Sequence, residues 1–138
     1  MSDPSKLDTI LPYAAPICGD TRTLLFAIRR MAIHGLHDAF AANAMLNAYG
    51  VNARKPLILL RAMLVDIARA ARGNIIMSPC CAPRMTEHEH AILSALRDPE
   101  SVETHLAAVL DGRKASIVPA TILALTESFA SMGRPIAL

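Results

Sequence analysis

The fold is decided by residues 52–73, which read NARKPLILLRAMLVDIARAARG. Asn52 can cap a helix, and Pro56 lies in its first turn, where a missing N–H is tolerated. Gly73 follows Arg72 and ends the helical pattern. The predicted core stripe of this helix consists of Leu57, Leu60, Met63, Leu64, Ile67 and Ala71.

This predicted helix is apolar almost all round, because Ile58, Leu59 and Val65 lie off its main stripe. Helices of that kind are usually covered on several sides. We therefore expect residues 52–73 to form the central helix of a helical domain.

A long helix is predicted before this segment. Asp20 or Thr21 can cap it, and it runs to about Tyr49 with a bend at Gly35 and a stop at Gly50. Its predicted inward face consists of Leu24, Ile28, Met31, Gly35, Ala39, Ala42 and Leu46.

Three helices are predicted after residue 73. Thr86 and Glu89 form a capping box for a helix that ends near Arg97. A fourth helix starts at Asp98-Pro99 and ends before Gly112, and a fifth covers about residues 117–132. The fifth carries a seam of Val118, Ile122, Leu125, Phe129 and Met132, which packs either on the chain's own core or on a second copy in a homodimer.

Composition supports a helical fold. Of the 138 residues 53% are apolar but only 4% are aromatic, so the core must be built from residues that favour packed helices. Residues 75–77 can be extended, but they have no evident partner strand. We predict an all-α, single-domain compact bundle of about five helices over residues 20–138. Residues 1–19, rich in proline, form an irregular N-terminal arm held by Leu11, Tyr13 and Ile17.

Membrane insertion and export are not expected. The longest charge-free run, residues 39–53, is shorter than the roughly 20 apolar residues of a spanning helix. The N-terminus lacks the basic start and apolar run of a secretory signal. A reducing cytoplasm is the expected location, and three cysteines argue against a disulfide framework there.

Charge is unevenly divided along the chain. Residues before Gly73 carry nine Lys or Arg and five Asp or Glu, whereas the rest carries five and seven. The basic half, which includes Arg22, Arg29 and Arg30, is interpreted as a solvated rim. Nucleic-acid binding is not expected, because no continuous basic stripe is evident.

Residues 78–90, SPCCAPRMTEHEH, contain most of the side chains that could react or bind a metal. Cys80, Cys81, His88 and His90 are candidate zinc ligands, but adjacent cysteines are unlike ordinary zinc knuckles. His88 and His90 point about 200° apart on a helix, so at most one can face the ion.

Two further histidines on the first helix can reach the cysteines across the fold. No resident cofactor is expected apart from this possible zinc. The candidate metal ligands are therefore Cys80, Cys81, His88, His34 and His37.

Redox sensing is the neighbouring hypothesis for the thiols. A thiol just before a helix N-terminus is activated by the helix dipole. A disulfide between Cys80 and Cys81 is strained, because neighbouring Cα atoms are about 3.8 Å apart and disulfides usually need about 4.4 to 6.8 Å. Sensing therefore involves Cys18, a second chain or a small thiol. The alternative is that the thiols are small packing residues.

Three segments, residues 34–39, 54–61 and 79–86, resemble a family of small uncharacterised bacterial proteins classed as a domain of unknown function. The most specific part of the resemblance is the motif Pro79-Cys80-Cys81-x-x-Arg84-Met85-Thr86. The resemblance covers about residues 20–98 and implies a single-domain bacterial protein, but no activity.

No phosphate-binding loop, nucleophile elbow or paired-carboxylate pattern is present in the sequence. We therefore expect a non-catalytic cytoplasmic binding, adaptor or regulatory protein. Its partner is an unidentified protein or a second copy of the chain. The alternative is a thiol-dependent metal-binding or redox-sensing protein centred on Cys80 and Cys81, and a cysteine-dependent enzyme comes third.

Overall fold

The computed structural model describes residues 11–138. Its α-helices are α1 (Gly19–His34), α2 (Ala39–Tyr49), α3 (Arg54–Ala70), α4 (Glu87–Arg97), α5 (Val102–His105) and α6 (Val118–Ser131). Two 3-10 turns cover Gly50–Ala53 and Pro99–Ser101, and two short strands are β1 (Tyr13–Ala14) and β2 (Arg84–Met85). Five of the helices exceed ten residues and share one hydrophobic core. The predicted all-α bundle of about five helices is confirmed.

The predicted continuous helix from Asp20 to Tyr49 is wrong, because the chain breaks between α1 and α2. Gly35 has φ +107°, far from the helical value of about −63°, and it ends α1. Asp38 then starts α2 by accepting a hydrogen bond from the Ala41 amide at 2.9 Å.

The break changes which face of α2 is buried. Ala41, Met45 and Tyr49 point inward, whereas the predicted Leu46 is 51% exposed. The prediction assumed that the helical rotation of 100° per residue continues from α1 into α2. The residues of the break do not follow that rotation, so the predicted inward face of α2 is wrong.

Helix α3 follows a 3-10 turn instead of the predicted Asn52 cap. It packs along α6 and buries Pro56, Leu60, Met63, Ile67 and Ala70. It also contacts α1 and α2, as expected for a helix covered on several sides, but Ile58 on its outer face is 52% exposed, so the covering is incomplete.

The predicted fourth helix is reduced to the turn at 99–101 and the single turn of α5. The following residues pair instead with the end of α3: the Asp111 amide donates to the Ala70 carbonyl at 2.7 Å, and the Arg72 amide donates to the Val109 carbonyl at 3.0 Å. These bonds replace helical ones, so the segment cannot continue as a helix. Its predicted apolar residues, including Val102 and Leu106, are nevertheless buried.

Helices α4 and α6 agree with the sequence prediction. Thr86 and Glu89 form the capping box of α4 in both directions. The seam residues Val118, Ile122, Leu125 and Phe129 are fully buried within the chain, so this seam packs on the protein's own core.

The N-terminal arm is held by backbone pairing that the sequence did not predict. Strands β1 and β2 are antiparallel, with Tyr13 opposite Met85, and the Ala15 amide donates to the Pro83 carbonyl at 3.0 Å. The predicted anchor Ile17 is 95% exposed and anchors nothing. Positions 1–10 of the predicted arm lie outside the described residues.

None of the helices in residues 11–138 has the length and apolar character needed to cross a membrane.

Candidate functional site

The two adjacent cysteines lie on a loop, residues 78–86, that connects the segment after α3 to α4. One end of this loop runs through β2 against the N-terminal arm, and the other begins at Ser78. Met85 of this loop is buried in the hydrophobic core, and polar groups beneath the loop hold the part that carries the cysteines.

A buried ion pair lies beneath the loop. The Arg29 Nε of α1 donates to Glu89 Oε2 of α4 at 2.5 Å, and Arg29 Nη2 donates to Oε1 at 3.2 Å. The two side chains are 2% and 0% exposed. This bidentate geometry is the strong form of a charge-assisted hydrogen bond, and it ties α1 to α4.

The Glu89 carboxylate also holds both ends of the loop. It accepts hydrogen bonds from the Ser78 amide at 3.2 Å, the Ser78 hydroxyl at 3.0 Å and the Thr86 amide at 2.8 Å. With the two from Arg29, the buried carboxylate accepts five hydrogen bonds.

Arg29 holds the middle of the same loop. Its Nη1 donates to the Ala82 carbonyl at 2.9 Å, and its Nη2 donates to the Arg84 carbonyl at 2.9 Å. The segment that carries Cys80 and Cys81 is therefore fixed at Ser78 on one side and at Ala82 on the other.

Electrostatics favour the ionised carboxylate. Burial alone would raise the pKa of Glu89, but the hydrogen bonds and charge of Arg29 and the amides of Thr86 and Ser78 outweigh it. The pKa of Glu89 is held below its ordinary value of 4.5. The ion pair is thus intact at neutral pH.

The thiols themselves are adjacent and accessible. Cys80 Sγ and Cys81 Sγ are 3.5 Å apart, with Cys80 half-buried and Cys81 exposed. The hydrogen bond with Cys80, the charge of Cys80 and slight burial raise the pKa of Cys81, and the charges of Arg29 and Arg30 oppose that shift.

Two clefts meet at Cys80. One, of about 400 Å³, is lined by both thiols together with Arg22 and Phe26 of α1. The other, of about 370 Å³, is lined by Cys80 with Arg30 and His34. Both give small molecules access to sulfur.

The arginines of these clefts differ in their pairing. Arg30 forms a bidentate ion pair with Asp38, at 2.8 and 3.0 Å, and lies over the Phe40 ring. Arg22 is exposed, and within residues 11–138 its guanidinium forms no hydrogen bond or ion pair. Arg22 is therefore the cation available to a ligand in the larger cleft.

The structure brings some of the predicted metal ligands together but not all. His34 borders the same cleft as Cys80, whereas His37 is exposed and lines neither cleft. His88 Nδ1 accepts a hydrogen bond from the Ile76 amide at 2.8 Å. Across residues 11–138, no group of three or more His, Cys, Asp or Glu side chains has the geometry of a metal site. The zinc hypothesis for Cys80, Cys81, His88, His34 and His37 stays a prediction.

The other two predicted participants lie elsewhere. The His90 ring stacks on Tyr13 with ring centroids 3.6 Å apart, and burial, Arg97 and His105 lower its pKa. Cys18 occupies the N-cap position of α1 and lines neither cleft. The predicted involvement of Cys18 in redox sensing gains no support from this placement.

Sequence reasoning missed the most important residue of the site. It assigned Arg29 to a solvated basic rim, and that interpretation is wrong, because the side chain is buried. The signal that could have found it is the spacing of Leu25 and Arg29, four residues apart beside Ile28, which places the arginine next to the buried side of α1. Its partner Glu89 was recognised only as a capping residue.

Comparison with known proteins assigns the chain to a family. A family of unknown function, DUF6628, matches residues 2–133. No curated protein and no solved structure matches the chain. The match includes the loop with Cys80 and Cys81 and both members of the buried ion pair. The resemblance seen in the sequence is confirmed at this level, and the chain belongs to the DUF6628 family of unknown function.

Proposed function

We propose that the protein is a non-catalytic cytoplasmic regulatory protein of bacterial origin that senses thiol-reactive oxidants through Cys80 and Cys81. The observation that carries the proposal is the Sγ–Sγ distance of 3.5 Å in a loop fixed on both sides of the pair. The odd number of cysteines in the chain supports a reducing compartment, in which oxidation of the loop thiols is reversible.

The geometry explains how a change at sulfur reaches the rest of the protein. Ser78 and Ala82 are the anchors of the segment, and both bind the Arg29–Glu89 pair. A group added to Cys80 moves the backbone between those anchors. The displacement is transmitted to α1 through Arg29 and to α4 through Glu89. The altered surface is then recognised by an unidentified protein partner or by a second copy of the chain.

The test is thiol reactivity coupled to a structural readout. The reduced protein is titrated with a neutral dipyridyl disulfide before and after unfolding, and its urea midpoint is measured before and after oxidation and re-reduction. We expect the loop thiols to react in the folded protein, with a reversible shift of the midpoint. The variant Cys80→Ser loses the response, and Cys18→Ser, the matched control, retains it.

Two results would contradict this function. Loop thiols that react only after unfolding would identify them as packing residues. Stoichiometric zinc in protein purified without a metal-affinity tag, with thiols protected until the metal is removed, would favour the metal-binding alternative.

A further inference from the structure

We propose that Cys80 exchanges with anionic low-molecular-weight disulfides, and that the cleft lined by Arg22 binds the carboxylate of the half that stays attached. This inference rests on the proposed function and names the chemical class that the thiol pair recognises. The inference depends on three observations: the cleft beside the two thiols, the charge of Arg22 and the spacing of the two sulfurs.

The cleft has the size and polarity for a small peptide-like thiol. Its volume is about 400 Å³, and it is lined by Cys80 and Cys81 of the loop together with Arg22 and Phe26 of α1. Pockets of about 300–1,000 Å³ suit small-molecule ligands. A molecule joined to the Cys80 sulfur therefore lies in a cleft that Arg22 also lines.

Arg22 gives the cleft its selectivity for charge. Arg29, which also lines the cleft, is neutralised by Glu89, whereas Arg22 faces no acidic partner within the described residues. An unpaired guanidinium binds carboxylate in a bidentate manner. An anionic disulfide is therefore favoured over a neutral one, and a cationic one is disfavoured.

Cys80 is the sulfur that attacks. It lines both clefts, whereas Cys81 lines only the larger one. Arg30 lines the smaller cleft beside Cys80, and its charge is already paired with Asp38.

The exchange step is balanced without a further reagent. The Cys80 thiolate attacks one sulfur of the small disulfide, a protein–ligand S–S bond forms and the S–S bond of the small disulfide breaks. The other half leaves as a thiolate and takes a proton from water. Cys80 is oxidised and the departing half is reduced, and a second small thiol reverses the step.

The geometry of neighbouring residues makes the mixed disulfide the persistent product. For Cys81 to displace the ligand, it must form a disulfide with Cys80 across Cα atoms about 3.8 Å apart, below the usual range of about 4.4 to 6.8 Å. Anchors at Ser78 and Ala82 resist the distortion that such a bond requires. Cys81 therefore does not resolve the adduct.

The test compares three disulfide probes on the folded, reduced protein: glutathione disulfide (anionic), 2-hydroxyethyl disulfide (neutral) and cystamine (cationic). Adduct formation is followed by intact mass, and the modified cysteine is located by peptide mapping. We expect the rate order anionic, neutral, cationic, with the adduct on Cys80. The anionic preference should fall about two- to fivefold in Arg22→Gln and in high salt.

The matched control is Arg69→Gln, an exposed arginine on α3 that lines neither thiol cleft, and it should leave the preference unchanged. Equal rates for all three probes, or an unchanged preference in Arg22→Gln, would overturn this inference while leaving the thiol sensor intact. Loss of two hydrogens without a mass gain would show a Cys80–Cys81 disulfide and would also overturn it. No reaction with any probe would refute the proposed function itself.

Discussion

Replacing Glu89 with Gln is the sharpest test of the buried ion pair. The substitution keeps the size of the side chain and removes its charge. It leaves the Arg29 guanidinium buried without a counter-charge, because Arg29 is 2% exposed and its other two partners are neutral carbonyls.

The size of the expected loss of stability follows from the hydrogen bonds that Glu89 accepts. Glu89 Oε2 accepts from Arg29 Nε and the Ser78 amide, whereas Oε1 accepts from Arg29 Nη2, the Ser78 hydroxyl and the Thr86 amide. A glutamine has one acceptor oxygen and one NH₂ group, so in either orientation at least two fixed donors face its NH₂. Breaking a buried pair in this way costs about 3–5 kcal/mol.

The assay is urea unfolding at pH 7, followed by helical circular dichroism. For an m value of about 2 kcal/mol/M, the expected loss lowers the urea midpoint by about 1.5–2.5 M. Glu87→Gln is the matched control, because Glu87 is exposed two residues earlier on α4, and it should change the free energy of unfolding by no more than about 0.5 kcal/mol.

A double-mutant cycle separates the pair from other effects of the substitution. Arg29→Met with Glu89→Met removes both charges, so the double variant should lose less stability than the two single variants together, by at least about 1 kcal/mol. A loss below about 1 kcal/mol in Glu89→Gln, or additive losses in the cycle, would refute the reasoning.

Three other predictions follow from the same contacts. In α6, Leu125→Ala should cost about 2–5 kcal/mol in urea unfolding, whereas Leu123→Ala, at a 43% exposed position, should stay within about 0.5 kcal/mol. At the start of α2, Asp38→Ala should lower the melting temperature more than Asp38→Ser, because serine retains a cap but not the ion pair with Arg30; equal losses would show that the cap is irrelevant. Since the pKa of Glu89 is depressed in the folded protein, its stabilisation is present above pH 4.5 and is lost as pH falls through the folded pKa, so the slope of stability against pH below 4.5 should be steeper in the wild type than in Glu89→Gln.

Local signals predicted much of the helical frame. The capping box of Thr86 and Glu89 is an interaction between residues three apart, so its geometry follows from the sequence once a helix forms. The seam of α6 is a repeat within one helix, and it too is buried as its spacing indicates. By contrast, the inward face of α2 was predicted incorrectly. The turn between Gly35 and Asp38 rotates α2 relative to α1, and the spacing of apolar residues gives no measure of that rotation.

The sequence by itself determined the all-α class, the start of α4, the buried seam of α6 and the concentration of chemistry around Cys80 and Cys81. Each of these depends on residues within a few turns of one another. Only the tertiary structure decided that Arg29 is buried, because its partner Glu89 lies 60 residues away, and whether a basic side chain is solvated or paired depends on what packs above it. The same long-range packing sets the clefts around the thiols, since their lining comes from α1 and from a loop that the ion pair and the pairing of β1 with β2 hold in place.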